Sequence, residues 1–204
     1  MQLTLFPEDN QWMHSLCFTG HRPDKLGGYN PNNPIMLDLK QKLTALIEQL
    51  IVEKGISHFY TGGALGVDQL AFWCVHALKA KYPHIQNIVA IPFKNQSIKW
   101  SPAQQKSYEE MLSLADEVID VSHIPAYDSK EAPDLPIESF SSKKMHKRNE
   151  YMVDQARFVI AVYDGTNGGT SNCYRYAKKN ERTVYVMNPK KEFELRIEAG
   201  VGVD

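Results

Sequence analysis

The chain has 204 residues, of which 43% are hydrophobic and 23% are charged, and its formal net charge is −1. This composition predicts a single folded globular domain and excludes disordered and collagen-like chains. The nearly neutral charge provides no overall attraction to nucleic acid or to an anionic membrane surface.

The cysteines and the chain ends indicate the compartment. Cys17, Cys74 and Cys173 are an odd number without CxxC spacing, so we predict neither a disulfide framework nor a thiolate zinc site. No pair of histidines has metal-ligand spacing, so we expect no tightly bound metal, and we predict no cofactor. The first residues lack the basic region of a signal peptide, and no apolar stretch reaches the roughly 20 residues that span a bilayer. We therefore expect a cytoplasmic protein without membrane contact.

The first elements in chain order are a strand at residues 16–19 and a long helix. Pro34 suits the first helical position, and Gly55 suits the position just after the helix. Apolar residues recur between them at spacings of three and four, which predicts one buried stripe. Its members are Ile35, Leu39, Leu43, Leu46, Ile47, Leu50 and Ile51.

The remaining elements continue the alternation of strand and helix. Further strands are predicted at residues 58–61, 87–93, 117–121, 158–163 and 183–187. Helices are predicted after Gly66, after a Ser101–Pro102 start, after a cap at Ser141 or Ser142, and after Gly169. Residues 122–140 are rich in Pro, Ser and Asp and are predicted to form a long loop or lid.

This alternation predicts the α/β class, in a three-layer sandwich with a mainly parallel sheet and helices on both faces. We assign residues 1–14 to a flexible N-terminal segment, 15–189 to a single domain and 190–204 to a C-terminal tail. Ligands of such sheets bind beyond the carboxyl ends of the strands, where helix N-termini present free N–H groups.

Two glycine-rich segments lie at those ends. Residues 61–68 read TGGALGVD and residues 164–170 read DGTNGGT, and each joins a predicted strand to a helix. Glycine lets a phosphate approach the main chain, and Thr and Ser hydroxyls add donors. Neither segment is a P-loop or a GxGxxG fingerprint, which disfavours an ordinary ATPase or dinucleotide dehydrogenase. The alternative is that these glycines only form tight turns.

Other residues at the same edge suit a nucleotide. Arg22 could hold a phosphate in a bidentate contact, and His21 could act as a general acid or as a hydrogen-bonding fixture. Asp68 and Asp164 are candidate acids, with helix capping as the alternative for Asp68. Phe93 could stack on a base, although core packing is its other expected role.

The motifs TGHRPDKL at residues 19–26, TGGALGVD at 61–68 and DGTNGGTSN at 164–172 resemble the YpsA/YoqJ-like branch of the SLOG superfamily. The resemblance covers residues 16–188. It implies a Rossmann-like fold that recognises nucleotides or related ligands, and it leaves the reaction undefined.

A second resemblance concerns chemistry. Residues 145–149, MHKRN, are similar to the MHxRK segment of LOG-type phosphoribohydrolases, and Gly169–Thr170 is similar to the GT of their PGGxGTxxE motif. The resemblance implies that Arg148 takes the position of their catalytic arginine. Cys173 stands where their glutamate is expected, and Asn149 replaces the lysine. A thiol does not replace a carboxylate that stabilises an oxocarbenium-like ribose, so the resemblance supports phosphate binding more than hydrolysis.

The N-terminus carries a separate signal. The segment with Gln2, Leu3, Leu5 and Phe6, QLTLF, resembles the short peptide by which bacterial replication and repair proteins bind the sliding clamp. An edge strand or a disordered lead-in is the alternative.

Three hypotheses follow: a nucleotide-binding sensor or regulator, an N-glycoside hydrolase of nucleoside monophosphates, and a DNA-metabolism adaptor related in fold to DNA processing protein A. The candidate catalytic residues are Arg148, Asp68 and Asp164. A homo-oligomer stays open. The predicted ligand site comprises Thr19, Gly20, His21, Arg22, Thr61, Gly62, Gly63, Gly66, Asp68, Phe93, Arg148, Asp164, Gly165, Thr166, Gly168, Gly169, Thr170 and Ser171.

Overall fold

The computed structural model describes residues 9–129 and 140–200, in which strands and helices alternate along the chain. The strands are β1 (Ser15–Gly20), β2 (His58–Thr61), β3 (Gln86–Ile91), β4 (Glu117–Asp120), β5 (Phe158–Val162), β6 (Thr183–Asn188) and β7 (Glu194–Glu198). The helices are α1 (Asp9–Met13), α2 (Pro34–Lys54), α3 (Val67–Leu78), α4 (Pro102–Leu114), α5 (Ser142–Asp154) and α6 (Gly169–Lys179).

The strands form one sheet in the order β4-β3-β2-β1-β5-β6-β7. Neighbouring strands are parallel except for β6 and β7, which are antiparallel. The chain progresses outward from β1 to β4 on one side and then returns to continue from β5 on the other. The strand order therefore reverses between β1 and β5, and open parallel sheets bind ligands at the carboxyl end of such a reversal.

Helices cover both faces of the sheet, which confirms the predicted three-layer sandwich. Along β1, Leu16 and Phe18 face the core beneath α2 and α3, whereas Cys17 faces the core beneath α5 and α6. The helix α4 packs on the α3 side through Tyr108 and Met111. Successive side chains of a strand point to opposite faces, so a strand buried on both sides has a continuous apolar sequence.

Helix α2 has the predicted ends and, with one exception, the predicted buried stripe. The Asn33 side chain accepts from Met36 N at 2.9 Å at the start, and Gly55 adopts a left-handed conformation at the end. Ile35 is 43% exposed, however, and Met36 is buried in its place. At 100° per residue Met36 lies closer than Ile35 to the centre of the stripe, so the prediction for Ile35 was wrong.

The predicted caps of α4 and α5 are confirmed. Ser101 and Gln104 form a reciprocal capping box, and the Ser141 hydroxyl accepts from Lys143 N at 3.1 Å and from Lys144 N at 3.3 Å. Each pairing satisfies N–H groups that lack partners within the helix. The start of α5 is therefore defined, and Arg148 follows two turns later.

The structure differs from the predicted ends of the chain. Part of the predicted tail forms β7, an edge strand in which Leu195 pairs with Met187. Part of the predicted N-terminal segment forms the short helix α1. Residues 2–6, which carry the clamp-like peptide, and residues 130–139 of the predicted lid lie outside the described residues. No helix within residues 9–129 and 140–200 is both long and apolar enough to cross a membrane.

Candidate functional site

A cavity of about 240 Å³ opens at the carboxyl ends of the strands where the strand order reverses. The end of β1, the β2–α3 loop, α5 and the start of α6 form its walls. Predicted site residues that line it are Thr19, Gly20, Arg22, Asp68, Arg148, Gly169 and Thr170, and Ala64, Phe140, Ser142, Met145, His146 and Asn149 complete it. The two glycine-rich segments thus border one cavity.

The glycines of the two segments differ in their surroundings. A Cβ atom added to Gly20, Gly62, Gly63 or Gly66 would lie less than 3.0 Å from another residue. At Gly165, Gly168 and Gly169, no atom of the described residues lies within 4 Å of the corresponding position. The first set is required by close packing within the protein, as the tight-turn alternative expects, whereas the second set borders open space.

The start of α6 has main-chain N–H groups to which an anion could bind. Gly168 precedes the helix with φ of 150°, and no side chain caps the helix there. The first N–H groups of a helix lack intrahelical acceptors and carry the positive end of the helix dipole. Gly169 and Thr170 line the cavity, so these donors border the space that a ligand would occupy.

Arg148 lies beneath the first glycine segment and is 3% exposed. Its Nη1 donates to the carbonyl oxygens of Gly62 and, at 3.3 Å, of Ala90, and its Nε donates to Asn149 Oδ1 at 2.9 Å. Burial lowers the pKa of Arg148, while the nearby carboxylate of Asp68 acts in the opposite direction. Its hydrogen bonds to the described residues are made by Nη1 and Nε, and the residue lines the cavity.

Asp68, in the first turn of α3, is a buried carboxylate with little hydrogen bonding. It is 7% exposed, and it accepts from Ala64 N at the long distance of 3.4 Å. Burial raises the pKa of Asp68 above its usual value, and the charges of Arg148 and Arg22 only partly offset this effect. A buried acid with a raised pKa that faces a cavity is characteristic of functional sites.

Asp164 belongs to a different network. Its Oδ1 accepts from His21 Nε2 at 2.7 Å and from Thr166 N at 3.0 Å, and its Oδ2 pairs with Lys190 Nζ at 2.8 Å. Burial acts to raise the pKa of Asp164, but the hydrogen bonds from Lys190 and Thr166 outweigh it and hold the pKa well below its usual range. Asp164 therefore organises the loop after β5 and connects it to the loop after β1.

His21 takes part in the same connection. It is 5% exposed, and burial is the main reason that its pKa is lowered. Its carbonyl oxygen also accepts from Val67 N at 3.3 Å. The loops after β1, β2 and β5 are thus joined through His21, as expected of a histidine whose role is to hold the loops by hydrogen bonds.

Several predicted residues lie outside the lining of the cavity. Phe93 is 1% exposed and packs edge-on against Phe140, with ring centroids 6.1 Å apart. Phe140, rather than Phe93, is the aromatic side chain that the cavity exposes. The other predicted residues that do not line the cavity are His21, Thr61, Gly62, Gly63, Gly66, Asp164, Gly165, Thr166, Gly168 and Ser171. Asp164 and Gly165 line a second cavity of about 240 Å³ with Lys191 and Arg196.

The wall formed by α5 could have been predicted more fully. Ser142, Met145, His146 and Asn149 follow one another at spacings of three, one and three residues, so they share a helical face next to Arg148. Phe140 gives no such signal, because it precedes the helix and reaches the cavity only through the packing of α5 against β3.

Cys173 and the acidic residues limit the chemistry of the site. Burial raises the pKa of Cys173 to about 11, which keeps its thiol neutral near pH 7. Within residues 9–129 and 140–200, no group of three or more His, Cys, Asp or Glu side chains is arranged to hold a metal ion. Among the described residues that line the cavity, Asp68 provides the carboxylate.

A mostly parallel seven-stranded sheet with a cavity at its strand-order reversal defines the class of this protein as a Rossmann-like α/β protein. Within that class, residues 16–191 match the YpsA family, described as the YspA SLOG family, so the chain belongs to it. The resemblance in its three loop motifs is thereby confirmed.

Relatives and solved structures agree with this assignment. The chain is 50% identical over 172 residues to the "Uncharacterized SPbeta prophage-derived protein YoqJ" of Bacillus subtilis, covering 83% of this chain and 99% of that one. It is 30% identical to a UPF0398 protein of Halalkalibacterium halodurans, covering 83% of each.

Two solved structures share the fold. DNA processing protein A from Streptococcus pneumoniae matches with a TM-score of 0.55 and 16% identity over 87% of this chain. The chain spans about half, 51%, of that protein. The corresponding protein from Helicobacter pylori, described by its single-stranded DNA binding mode, matches with a TM-score of 0.52 and 17% identity, covering 88% of this chain and 68% of its own.

Proposed function

We propose that this chain binds a nucleotide or a nucleotide-derived phosphate ligand in the cavity between β1 and β5, and that it acts as a sensor or regulator. One observation carries the proposal. The cavity joins the uncapped, uncrowded start of α6 to two arginines and a buried carboxylate. Phosphate favours helix N-termini and arginine, and hydroxyl groups favour a carboxylate acceptor.

Each wall of the cavity suits one part of such a ligand. The phosphate binds the first N–H groups of α6 and the guanidinium of Arg22, which is exposed at the rim. A ribose hydroxyl donates to Asp68. The base packs against Phe140, which is 62% exposed and otherwise contacts Phe93 and, at 5.8 Å from its ring centroid, Lys99 Nζ.

Isothermal titration calorimetry against a panel of nucleoside mono-, di- and triphosphates, dinucleotides and cyclic nucleotides tests the proposal. We expect saturable binding by at least one member, at least tenfold weaker affinity for Arg22→Ala, and equal or weaker affinity for Gly169→Ala, whose new methyl group enters the cavity. Arg157→Ala is the matched control, because Arg157 lies at the opposite end of the sheet, before β5. Binding by no member of the panel, or equal losses in Arg157→Ala and Arg22→Ala, would contradict the proposal.

Asp68 favours a second candidate function, hydrolysis of the N-glycosidic bond of a nucleoside monophosphate. Asp68 and Arg148 line the same cavity, and a carboxyl with a raised pKa suits general acid–base chemistry. Asp164 is less suited, because His21, Thr166 and Lys190 already occupy its oxygens. Release of free base that is lost in Asp68→Asn and in Arg148→Ala supports this function. Turnover that persists in both variants excludes these residues from the reaction.

A DNA-metabolism adaptor is the third candidate, and the QLTLF peptide together with the DNA processing protein A fold favours it. A pull-down with the bacterial sliding clamp tests it. We expect the wild-type chain to be retained and the double variant Leu5→Ala, Phe6→Ala to be lost. Retention of both proteins to the same extent contradicts a role for the peptide.

A further inference from the structure

The edge strand β7 has an unpaired side. It is the last strand of the sheet, and among the described residues its only strand neighbour is β6. Exposed strand edges offer main-chain N–H and C=O groups to any strand that approaches, and proteins usually cover or charge them. Within the described residues the β7 edge is uncovered and carries both charged and apolar side chains, so a partner strand there would have to match both.

The apolar face of β7 is such a case. Leu195 is 42% exposed and Ile197 is 57% exposed. They form one side of a groove of about 310 Å³, whose other side includes Leu46 and Leu50 of α2 and Tyr185 of β6. The groove continues from the core towards the open edge.

The opposite face of β7 alternates in charge. Glu194, Arg196 and Glu198 lie opposite Asn188, Val186 and Val184 of β6. A second strand of the same sequence, running antiparallel with Leu195 opposite its own copy, places each Glu194 opposite Arg196 of the other chain. Oppositely charged pairs across neighbouring strands are stabilising, whereas like charges are destabilising. In this register the segment Glu194–Arg196 is thus complementary to itself, while Glu198 lies opposite Glu192, which precedes the strand.

The existing ion pairs favour this register over one centred on Ile197. The latter would pair Arg196 with Glu198 of the other chain. Within one chain Glu198 already lies 2.6 Å from Arg196 Nη2, accepts from Tyr174 Oη at 2.8 Å and lies 3.3 Å from Lys178 Nζ. In the register centred on Leu195, Arg196 therefore lies between Glu198 of its own chain and Glu194 of the other chain. The ion pair of Glu194 within the described residues is the long 4.0 Å contact with Lys191. Glu194 is therefore the charge that a new ion pair would stabilise most.

We propose that two copies of this chain associate through antiparallel pairing of their β7 strands, with a two-fold axis at Leu195. The sheet continues from one chain into the other. Because the axis is perpendicular to the sheet, both α2 helices lie on the same side, and Leu195 and Ile197 of the two copies fill the joined grooves. Isologous two-fold interfaces are the commonest in soluble proteins.

Sedimentation equilibrium of the full chain tests the association. We expect a mass of twice the 23.2 kDa of one chain. Arg196→Glu or Glu194→Arg replaces two favourable pairs by two like-charge pairs, so association should weaken by about tenfold or more. The double variant Glu194→Arg, Arg196→Glu restores complementarity and should restore the dimer. Val118→Lys, on the opposite edge strand β4, is the matched control and should leave the mass unchanged.

Two results would overturn the proposal: a monomer at every concentration, or a dimer whose dissociation constant is unchanged by both charge reversals. Far-ultraviolet circular dichroism verifies that each variant is folded. The register has its own test, since oxidation should link Leu195→Cys chains to each other and leave Ile197→Cys chains unlinked. The reverse result would overturn the axis at Leu195.

Discussion

The substitution Gly62→Ala tests the position of Arg148 directly. A Cβ atom at residue 62 would overlap Nη1 and Cζ of Arg148. Arg148 is buried but lines the cavity, so the guanidinium can avoid the added methyl group only by moving into the cavity and leaving the carbonyl oxygen of Gly62. The backbone of Gly62 is not in the left-handed region, and the added methyl group is therefore the whole perturbation.

The expected cost combines two effects. Adding a methyl group to a packed core costs about 1–3 kcal/mol. Displacing the guanidinium breaks at least its hydrogen bond to Gly62 O, and a hydrogen bond of a charged group contributes about 1.5–3 kcal/mol. Because movement of the guanidinium into the cavity relieves the overlap and breaks the hydrogen bond together, the two effects do not add in full, and we expect Gly62→Ala to lower the free energy of unfolding by about 2–3 kcal/mol.

Urea denaturation in a double-mutant cycle isolates this interaction. In an Arg148→Ala background the clash is absent, and Gly→Ala at a compatible backbone position is neutral or stabilises by about 0.4–1 kcal/mol. The two substitutions should therefore be strongly non-additive. Equal costs of Gly62→Ala in the two backgrounds would refute the contact between Gly62 and Arg148.

Three further predictions concern single residues. Asp68→Asn should raise the stability at pH 7, because a carboxyl with a raised pKa destabilises the fold above its unfolded pKa of about 3.9. The urea midpoints of the variant and the wild type should converge below about pH 4. A difference that stays constant with pH would contradict the burial of this charge. Asp164 has a depressed pKa, so its contribution to the free energy of unfolding is present above about pH 4 and is lost as the pH falls. Asp164→Asn should therefore lower the free energy of unfolding at pH 7 and lower it less at pH 3. Equal costs at both pH values would argue against the ion pairs of Asp164. Ser141→Ala should cost about 1 kcal/mol of thermal or urea stability through loss of the α5 cap, whereas Ser142→Ala, one residue inside the helix, should cost less.

The elements of the fold follow from local patterns. The stripe of α2 apart from Ile35, the Pro34 start and Gly55 end of that helix, and the caps at Ser101 and Ser141 are properties of neighbouring residues, and they agree with the structure. The β7 strand was missed because alternating charged and apolar residues in a short segment after a proline turn also suit an exposed tail. Its pairing with β6 is a long-range contact with no local signal.

The sequence predicted the edge of the sheet at which the cavity lies, but only some of the residues that line it. Parallel strands align their carboxyl ends, so the loops after β1, β2 and β5 are expected at one edge, and they are joined there through His21. Glycine content does not distinguish packing from ligand space. The side chain of Arg148 leaves no room for a Cβ atom at Gly62, and that of Val67 leaves none at Gly20. Arg148 and Val67 belong to other elements of the fold, so the sequence around each glycine does not show this.

The sequence by itself determined the α/β class, the family and the edge of the sheet at which the glycine-rich loops lie, because strand and helix periodicity and loop motifs are local. Only the tertiary structure decided that Asp68 and Arg148 share a cavity while Asp164 stabilises a loop beside it, and that Phe140 rather than Phe93 is exposed there. Burial, ion pairing and pKa shifts depend on which distant side chains come together, and that is a property of packing.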